Sequence, residues 1–219
     1  MSAVKKRVII IDYHLGNLFS VKQACDTVGM SARISSDKDD VRSADALILP
    51  GVGAFSEAMK NLTELNLVNI IIEMAQNGTP IFGICLGLQL LFTESMEFGS
   101  GKGLNIIEGS IKRFPNLFNN KMVRVPQIAW NKIYADGNSW ENTSLKDLNN
   151  NEFMYFVHSY YVQPSDDSCV LAKTNYEEIE YCSSILKNHI FATQFHPEKS
   201  SVKGLSIYRN WALINNLLP

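Results

Sequence analysis

Two segments hold side chains whose types and spacing can do chemistry: Ile81-Phe82-Gly83-Ile84-Cys85-Leu86-Gly87-Leu88-Gln89 and Gln194-Phe195-His196-Pro197-Glu198. In the first, a cysteine sits on a glycine-flanked turn between an apolar run and an amphipathic run. In the second, a histidine and a carboxylate stand two residues apart, after another apolar run. Together they supply nucleophile, base and orienting acid, the set required for acyl chemistry at a cysteine. A strand-turn-helix elbow exposes Cys85 at the end of its strand. It also aims the free N–H groups and dipole of the next helix at the sulfur, favouring thiolate and a developing oxyanion. Gly83 and Gly87 allow the tight turn and close helix packing. Alone, a free cysteine is more often a buried structural residue, and a His-Pro-Glu turn more often a surface feature. Their joint presence carries the catalytic reading. His196 follows an expected central strand and should emerge at the same sheet edge as Cys85. There Pro197 ends the strand and Glu198 can fold back to hold the imidazole tautomer.

A third segment, Pro50-Gly51-Val52-Gly53-Ala54-Phe55, follows a strand and can turn a backbone N–H toward an oxyanion. An ordinary strand-to-helix turn is the plainer alternative. A dinucleotide site fails, because Ser56 stands where the third glycine of GxGxxG belongs.

The elements that must position these groups alternate in the first half of the chain. The continuous apolar run Arg7-Val8-Ile9-Ile10-Ile11-Asp12 predicts a strand buried on both faces. A helix follows from Gly16-Asn17-Leu18, with Leu18, Val21, Ala24, Cys25 and Val28 at near-helical spacing. Ala32 to Ser35 and Ala46 to Leu49 predict short strands, Leu62 to Gln76 one helix, and Pro80 to Ile84 the nucleophile strand. This rhythm implies a mainly parallel sheet with helices on both faces. In the second half, Leu104 to Phe114, Met122 to Tyr134, Phe153 to Val162, Val170 to Thr174, Tyr181 to Leu186 and Phe191 to Phe195 read as strands or turns, as antiparallel additions. A final helix is expected from about Ser201 to Leu217, with Leu205, Tyr208, Trp211, Ala212 and Ile214 on its apolar side. The polar stretch Asp136 to Asn151 reads as a surface excursion.

Length and composition suit one domain over residues 1–219: 46% of the 219 residues are hydrophobic, enough for a sizeable core. The net charge of −2 comes without a basic stripe, which argues against nucleic acid. No apolar run reaches membrane-spanning length or forms a signal-peptide core. Cysteines 25, 85, 169 and 182 lack CxxC spacing, which argues against a disulfide framework or zinc site. A cytoplasmic protein is expected, with Cys25, Cys169 and Cys182 as buried thiols. His189 is expected to be exposed in a hairpin and His158 to be a satisfied core residue. No histidine pair has metal-ligand spacing, so neither metal nor cofactor is expected.

At these residues the chain resembles the class I (triad-type) glutamine amidotransferases, and within them the glutaminase subunits of imidazole glycerol phosphate synthase. The resemblance runs over nearly the whole chain. It rests on Asp12-Tyr13-x-x-Gly16-Asn17-Leu18, Pro50 to Phe55, Cys85 to Phe92, Trp130-Asn131, Phe156-Val157-His158-Ser159-Tyr160 and Phe195-His196-Pro197-Glu198-Lys199-Ser200. It implies a flavodoxin-like three-layer α/β fold. It further implies that Cys85 attacks the side-chain amide of glutamine, with His196 as base then acid and Glu198 orienting it. Backbone N–H groups of the Gly51-Val52-Gly53 loop and of Leu86 would hold the oxyanion. Gln89 and Glu97 would bind the amino-acid end of glutamine, beside the His158-Ser159-Tyr160 backbone. Asn17, Trp130 and Lys199 would face a separate (βα)8-barrel synthase/cyclase subunit in a heterodimer. Ammonia would pass to that barrel, which makes imidazole glycerol phosphate and an aminoimidazole carboxamide ribonucleotide in histidine biosynthesis. Because Gly51-Val52-Gly53 is flexible, its N–H is expected to need the partner to turn inward, leaving the isolated chain nearly inactive.

The chain departs from the family pattern at four positions. His14 replaces a glycine after Asp-Tyr, and the run Pro126-Gln127-Ile128-Ala129-Trp130-Asn131 stands where the family has Pro-His-Met-Gly-Trp-Asn. These changes fall on the expected partner side, where Gln127 joins the interface set, and leave the triad untouched. An alternative is therefore a paralogous subunit feeding ammonia to a sugar amidotransferase in surface-polysaccharide biosynthesis. Two further classes are hydrolysis without transfer, as in γ-glutamyl peptidases, and a non-catalytic binding module on a similar sheet. The interface set opposes the first and the complete triad the second.

Overall fold

The centre of the molecule is built from four-residue strands that are buried at every position. They are β1 (Val8–Ile11), β3 (Ala46–Leu49) and β4 (Ile81–Ile84), with β15 (Ile190–Thr193) from the far end of the chain. Strands apolar on both sides are stable only where helices cover both faces of a sheet. The computed structural model describes residues 6–97, 99, 101–137 and 139–218. The other strands are β2 (Ala32–Ser35), β5 (Phe92–Ser95), β6 (Gly101–Lys102), β7 (Ile107–Arg113), β8 (Leu117–Phe118), β9 (Lys121–Met122), β10 (Gln127–Ile133), β11 (Glu152–His158), β12 (Tyr160–Pro164), β13 (Val170–Tyr176) and β14 (Ile179–Lys187). Helices are α1 (Leu18–Thr27), α2 (Lys38–Arg42), α3 (Phe55–Glu64), α4 (Val68–Gln76), α5 (Leu86–Leu90) and α6 (Ser201–Ile214).

The main sheet runs β2-β1-β3-β4-β15-β14-β12-β7-β5-β6, with β13 branching from β14. From β2 to β15 neighbouring strands are parallel, and β14, β12 and β7 add antiparallel pairs. This is the mainly parallel α/β sheet with antiparallel additions that the alternation implied. Successive side chains of the central strands enter different cores. Val8, Ile10, Ile48 and Phe82 face Val21, Tyr208 and Trp211 of α1 and α6. Ile9, Ile11, Leu47 and Ile81 face Leu62 and Ile71 of α3 and α4.

Several expectations are corrected. The single helix over 62–76 is two helices, because Asn66 adopts φ 58° and breaks the chain between α3 and α4. The short α2 was not expected; Asp37 caps it by accepting the Asp39 and Asp40 N–H groups. The stretch after Cys85 is not amphipathic, since every residue of α5 is buried. The expected strand over 153–162 breaks at Ser159: β11 pairs with β10 in a separate two-stranded sheet, and β12 enters the main sheet. The excursion over 136–151, of which Asn138 lies outside the described residues, is tethered by buried Trp140 and Leu145. In α6 Ile207 is buried while Ile214, expected on the apolar side, is exposed. His189 is half-buried, its Nε2 2.7 Å from the Ala75 carbonyl. Cys25, Cys169 and Cys182 are buried free thiols, as expected.

Candidate active site

Strand order brings the two chemical segments together. β4 and β15 are adjacent and parallel, with Ile84 opposite Thr193, so Cys85 and His196 leave the sheet at the same edge. Cys85 takes φ 54° and ψ −105°, a conformation that costs a side-chain-bearing residue about 1–3 kcal/mol. Its N–H donates to the Thr193 carbonyl at 2.7 Å, which anchors the elbow to β15. Behind it a Cβ on Gly87 would meet the Leu49 carbonyl oxygen at 1.7 Å, so only glycine lets α5 pack this close to β3. With only five residues, α5 contributes less dipole than the elbow suggested.

The His196 and Glu198 side chains are 3% and 2% exposed, and His196 Nδ1 lies 2.7 Å from Glu198 Oε1. The imidazole Nε2 has no hydrogen-bond partner and can take up a proton. Burial disfavours the imidazolium. The charge of Cys85, its contact with the ring and the Glu198 bond outweigh burial and push the His196 pKa up to about 10. The arrangement therefore favours the imidazolium form of His196.

His158 behaves in the opposite way. Burial, opposed by its bond to the Tyr160 carbonyl and reinforced by His196, lowers its pKa to about 3. Its ring nitrogens contact Tyr160 O and the Tyr181 hydroxyl at 2.9 and 3.2 Å. A neutral, doubly engaged imidazole of this kind is the satisfied core residue expected, and its role beside the site is structural.

A cavity of about 290 Å³ opens over Cys85, lined by Val52, Gly53, Leu86, Gln89, Glu97 and the backbone from Val157 to Tyr160, with Pro126. Gln89 Nε2 donates to the Tyr160 carbonyl at 2.9 Å, and Glu97 Oε2 accepts the Phe55 N–H at 2.7 Å. The break at Ser159 lets residues 158–160 line this cavity.

The oxyanion groups are arranged differently from expectation. The Leu86 N–H donates to the Gly51 carbonyl at 3.3 Å, so Gly51 presents an acceptor where an oxyanion donor was expected. Rotating the Gly51–Val52 peptide would withdraw that carbonyl, free Leu86 and turn the Val52 N–H inward. The preceding peptide is pinned: the buried Tyr13 hydroxyl donates to the Pro50 carbonyl at 2.5 Å.

Of the expected interface residues, Asn17 is exposed and caps α1, accepting the Ser20 N–H. Trp130 is 50% exposed and meets Tyr155 edge-on at 6.0 Å, and Lys199 Nζ stands 5.9 Å from the same ring. Tyr155 lies 6.4 Å from the His196 ring, so this face abuts the triad. Gln127 is a correction: it is fully buried, accepting from the Tyr181 hydroxyl at 2.9 Å, because its position in β10 points it inward opposite His158. It can influence a partner only through the core. Sequence reasoning missed Tyr13 and Gln194. Gln194 is fully buried, donates to Cys85 Sγ at 3.7 Å and accepts from Gln89 at 3.2 Å. Its place two residues before His196 was the available signal.

The family described as Glutamine amidotransferase class-I matches residues 9–214. A protein of Syntrophotalea carbinolica named Imidazole glycerol phosphate synthase subunit HisH is 45% identical over 93% of this chain and 98% of its own. The protein of the same name from Aquifex aeolicus is 46% identical over 94% and 95%. Among solved structures, one described as glutamine amidotransferase superposes with TM-score 0.72 at 18% identity, covering 95% of this chain and 98% of its own. PurLQS from Thermotoga maritima gives TM-score 0.69 at 16% identity, covering 96% and 99%.

Proposed function

The chain belongs to the class-I glutamine amidotransferases, and from that premise we propose that it is the glutaminase subunit of an imidazole glycerol phosphate synthase. The observation that carries the chemistry is the buried pair of His196 Nδ1 and Glu198 Oε1 at 2.7 Å, beside a cysteine held in a strained elbow. The pathway is carried by relatives of that name at 40–46% identity over almost the full length of both chains.

Glutamine occupies the cavity over Cys85, with Glu97 and Gln89 toward its amino-acid end and the 158–160 backbone alongside. The thiolate attacks the amide carbon, and the oxygen becomes an oxyanion held by Leu86 and Val52 N–H groups once the Gly51 carbonyl has turned away. The C–N bond breaks as protonated His196 gives its proton to the departing nitrogen, releasing ammonia and leaving a γ-glutamyl thioester. Water then loses a proton to His196 and attacks. The C–S bond breaks, yielding glutamate and regenerating the thiolate. Glu198 remains ionised and keeps Nε2 directed at the reacting atoms.

The partner is a (βα)8-barrel synthase/cyclase, docked over Asn17, Trp130 and Lys199, which consumes the ammonia within the complex. Among the described residues no helix is long and apolar enough to cross a membrane, which agrees with work in the cytoplasm. The test is reconstitution with the candidate barrels of the same genome, following glutamate release from glutamine. Stimulation by the histidine-pathway barrel and its ribonucleotide is expected. Stimulation only by a sugar-amidotransferase barrel would move the chain to polysaccharide synthesis.

A further inference from the structure

Besides His196 Nε2, which faces the reacting atoms, one further triad atom lacks a partner. Glu198 holds His196 through Oε1, while Oε2 is buried with no hydrogen-bond partner. The donors nearest along the chain are committed elsewhere: the Lys199 N–H and the Ser200 hydroxyl serve the His196 carbonyl, and the Ser200 N–H serves that of Pro197. Among the described residues other buried polar side-chain atoms also lack a partner, two of them donors on α6, the Tyr208 hydroxyl and Trp211 Nε1; of these two, the Tyr208 hydroxyl is the one whose titration the Glu198 charge perturbs. Tyr208 is fully buried in α6, its ring 5.2 Å from that of Phe82 in the nucleophile strand.

Helix geometry relates the two atoms. A Cβ on Gly204 would meet the Pro197 carbonyl oxygen at 1.9 Å, so α6 lies directly on the turn that carries Glu198. Tyr208 is one turn further along the same face. Side chains on a helix lean toward its N-terminus and cover the preceding turn. The phenol therefore reaches back over Gly204 toward Pro197 and Glu198. Buried carboxylates and hydroxyls without partners are rare in folded proteins and costly to leave unpaired, and burial and the Glu198 charge both act on this phenol.

We propose that Tyr208 is a positioning residue of the triad, its hydroxyl donating to Glu198 Oε2 through one buried water. Glu198 is then held at both oxygens, and its plane, which sets the direction of the imidazole, is fixed from the α6 side. Burial first, then the charges of Glu198 and Cys25, hold the Tyr208 pKa well above its ordinary value, so the hydroxyl is a donor throughout the working range. The titratable groups around the pair are His196 on Oε1, Cys85 and His158 beyond the imidazole, and Cys25 of α1 beside the phenol.

This inference rests on the reading of Cys85, His196 and Glu198 as catalytic, and its test separates the two. The full chain carrying Tyr208→Phe keeps the ring and loses only the hydroxyl. With its barrel partner, kcat for glutamine should fall about tenfold at unchanged KM, the scale of one hydrogen bond to a charged group. Without partner or glutamine, the acid limb of Cys85 alkylation by iodoacetamide should move to higher pH. An ionised Glu198 stripped of its donor is harder to keep buried, and only the ionised form supports the imidazolium beside the thiolate. In a Glu198→Gln background Tyr208→Phe should change neither readout further. An unmoved alkylation profile with unchanged kcat, or a full additional loss in the Glu198→Gln background, would overturn the proposal. Absence of glutaminase activity with a shifted alkylation profile would overturn the reaction but uphold the contact.

Discussion

Gly51→Ala is the most informative single change in the oxyanion loop. A Cβ at this position would lie 1.9 Å from the Tyr13 hydroxyl oxygen and 3.1 Å from Leu86 Cβ. Ordinary contact needs about 3.4 Å, so the phenol must retreat by roughly 1.5 Å. That movement breaks the 2.5 Å bond from the Tyr13 hydroxyl to the Pro50 carbonyl in a fully buried setting. Leaving these groups unpaired costs about 1–3 kcal/mol, and forcing extra volume into the site costs about 1–3 kcal/mol more. The sum is about 4 kcal/mol, a large share of a typical domain's stability, and corresponds to roughly 10 °C in Tm for a chain of this size. Tyr13→Phe removes both the bond and most of the obstruction, and alone should cost about 1–2 kcal/mol. The double variant should therefore be more stable than the sum of the single losses by about 1–2 kcal/mol. Urea unfolding of the three variants measures this. Strict additivity, or a Gly51→Ala protein as stable as wild type, would refute the claim that Tyr13 pins this loop.

Cys85→Ala should abolish glutamate release in the reconstituted complex with the fold intact by circular dichroism, and turnover in that variant would remove Cys85 from the mechanism. In the native chain His196 should remain protonated until pH approaches about 10, because the Cys85 charge and Glu198 outweigh burial. Its raised pKa means that this stabilisation is fully present below the ordinary histidine value near 6.5 and is lost as pH rises through about 10. In Cys85→Ala, where burial persists without the thiolate, the imidazole should titrate much lower by NMR; an unchanged midpoint would contradict the coupling. Because the Leu86 N–H is occupied by the Gly51 carbonyl, the partner-free chain lacks an oxyanion donor worth about 10²–10³ in rate. Barrel binding should stimulate glutaminase by at least about that factor, and a high basal rate indifferent to the barrel would count against the peptide rotation. Lys199→Ala should weaken assembly by calorimetry, since this exposed residue sets its ammonium over Tyr155, whose ring also meets Trp130; equal affinity would remove it from the interface.

What could be read from the residues was whatever depends on type and short-range spacing. β1, β3 and β4 are uninterrupted apolar runs closed by Asp12, Pro50 and Cys85, and such runs have few structural solutions. The triad was legible because a cysteine elbow and a His-Pro-Glu turn each follow a strand. The break between α3 and α4 was not, because helical periodicity continues across it and only the left-handed Asn66 interrupts the backbone. α2 has too few apolar residues to show a period and depends on the Asp37 cap. The inward orientation of Gln127 follows from pairing with His158 across β10 and β11, which no local pattern specifies. Tyr13, Gln194 and Tyr208 act through contacts between distant segments, and the aromatic residues among them look like ordinary core. The direction of the Gly51 carbonyl is a property of a peptide plane, and residue type leaves it free.

In the proposed mechanism Cys85 carries the γ-glutamyl group of glutamine while ammonia departs to a bound barrel. The direct measurement is rapid acid quenching of the complex during turnover of isotope-labelled glutamine, followed by mass spectrometry of the cysteine peptides. A labelled γ-glutamyl adduct on Cys85 that forms and decays at rates competent for glutamate release is expected, with none on Cys25, Cys169 or Cys182. Turnover without an adduct on Cys85, or with the label on another cysteine, would contradict that mechanism.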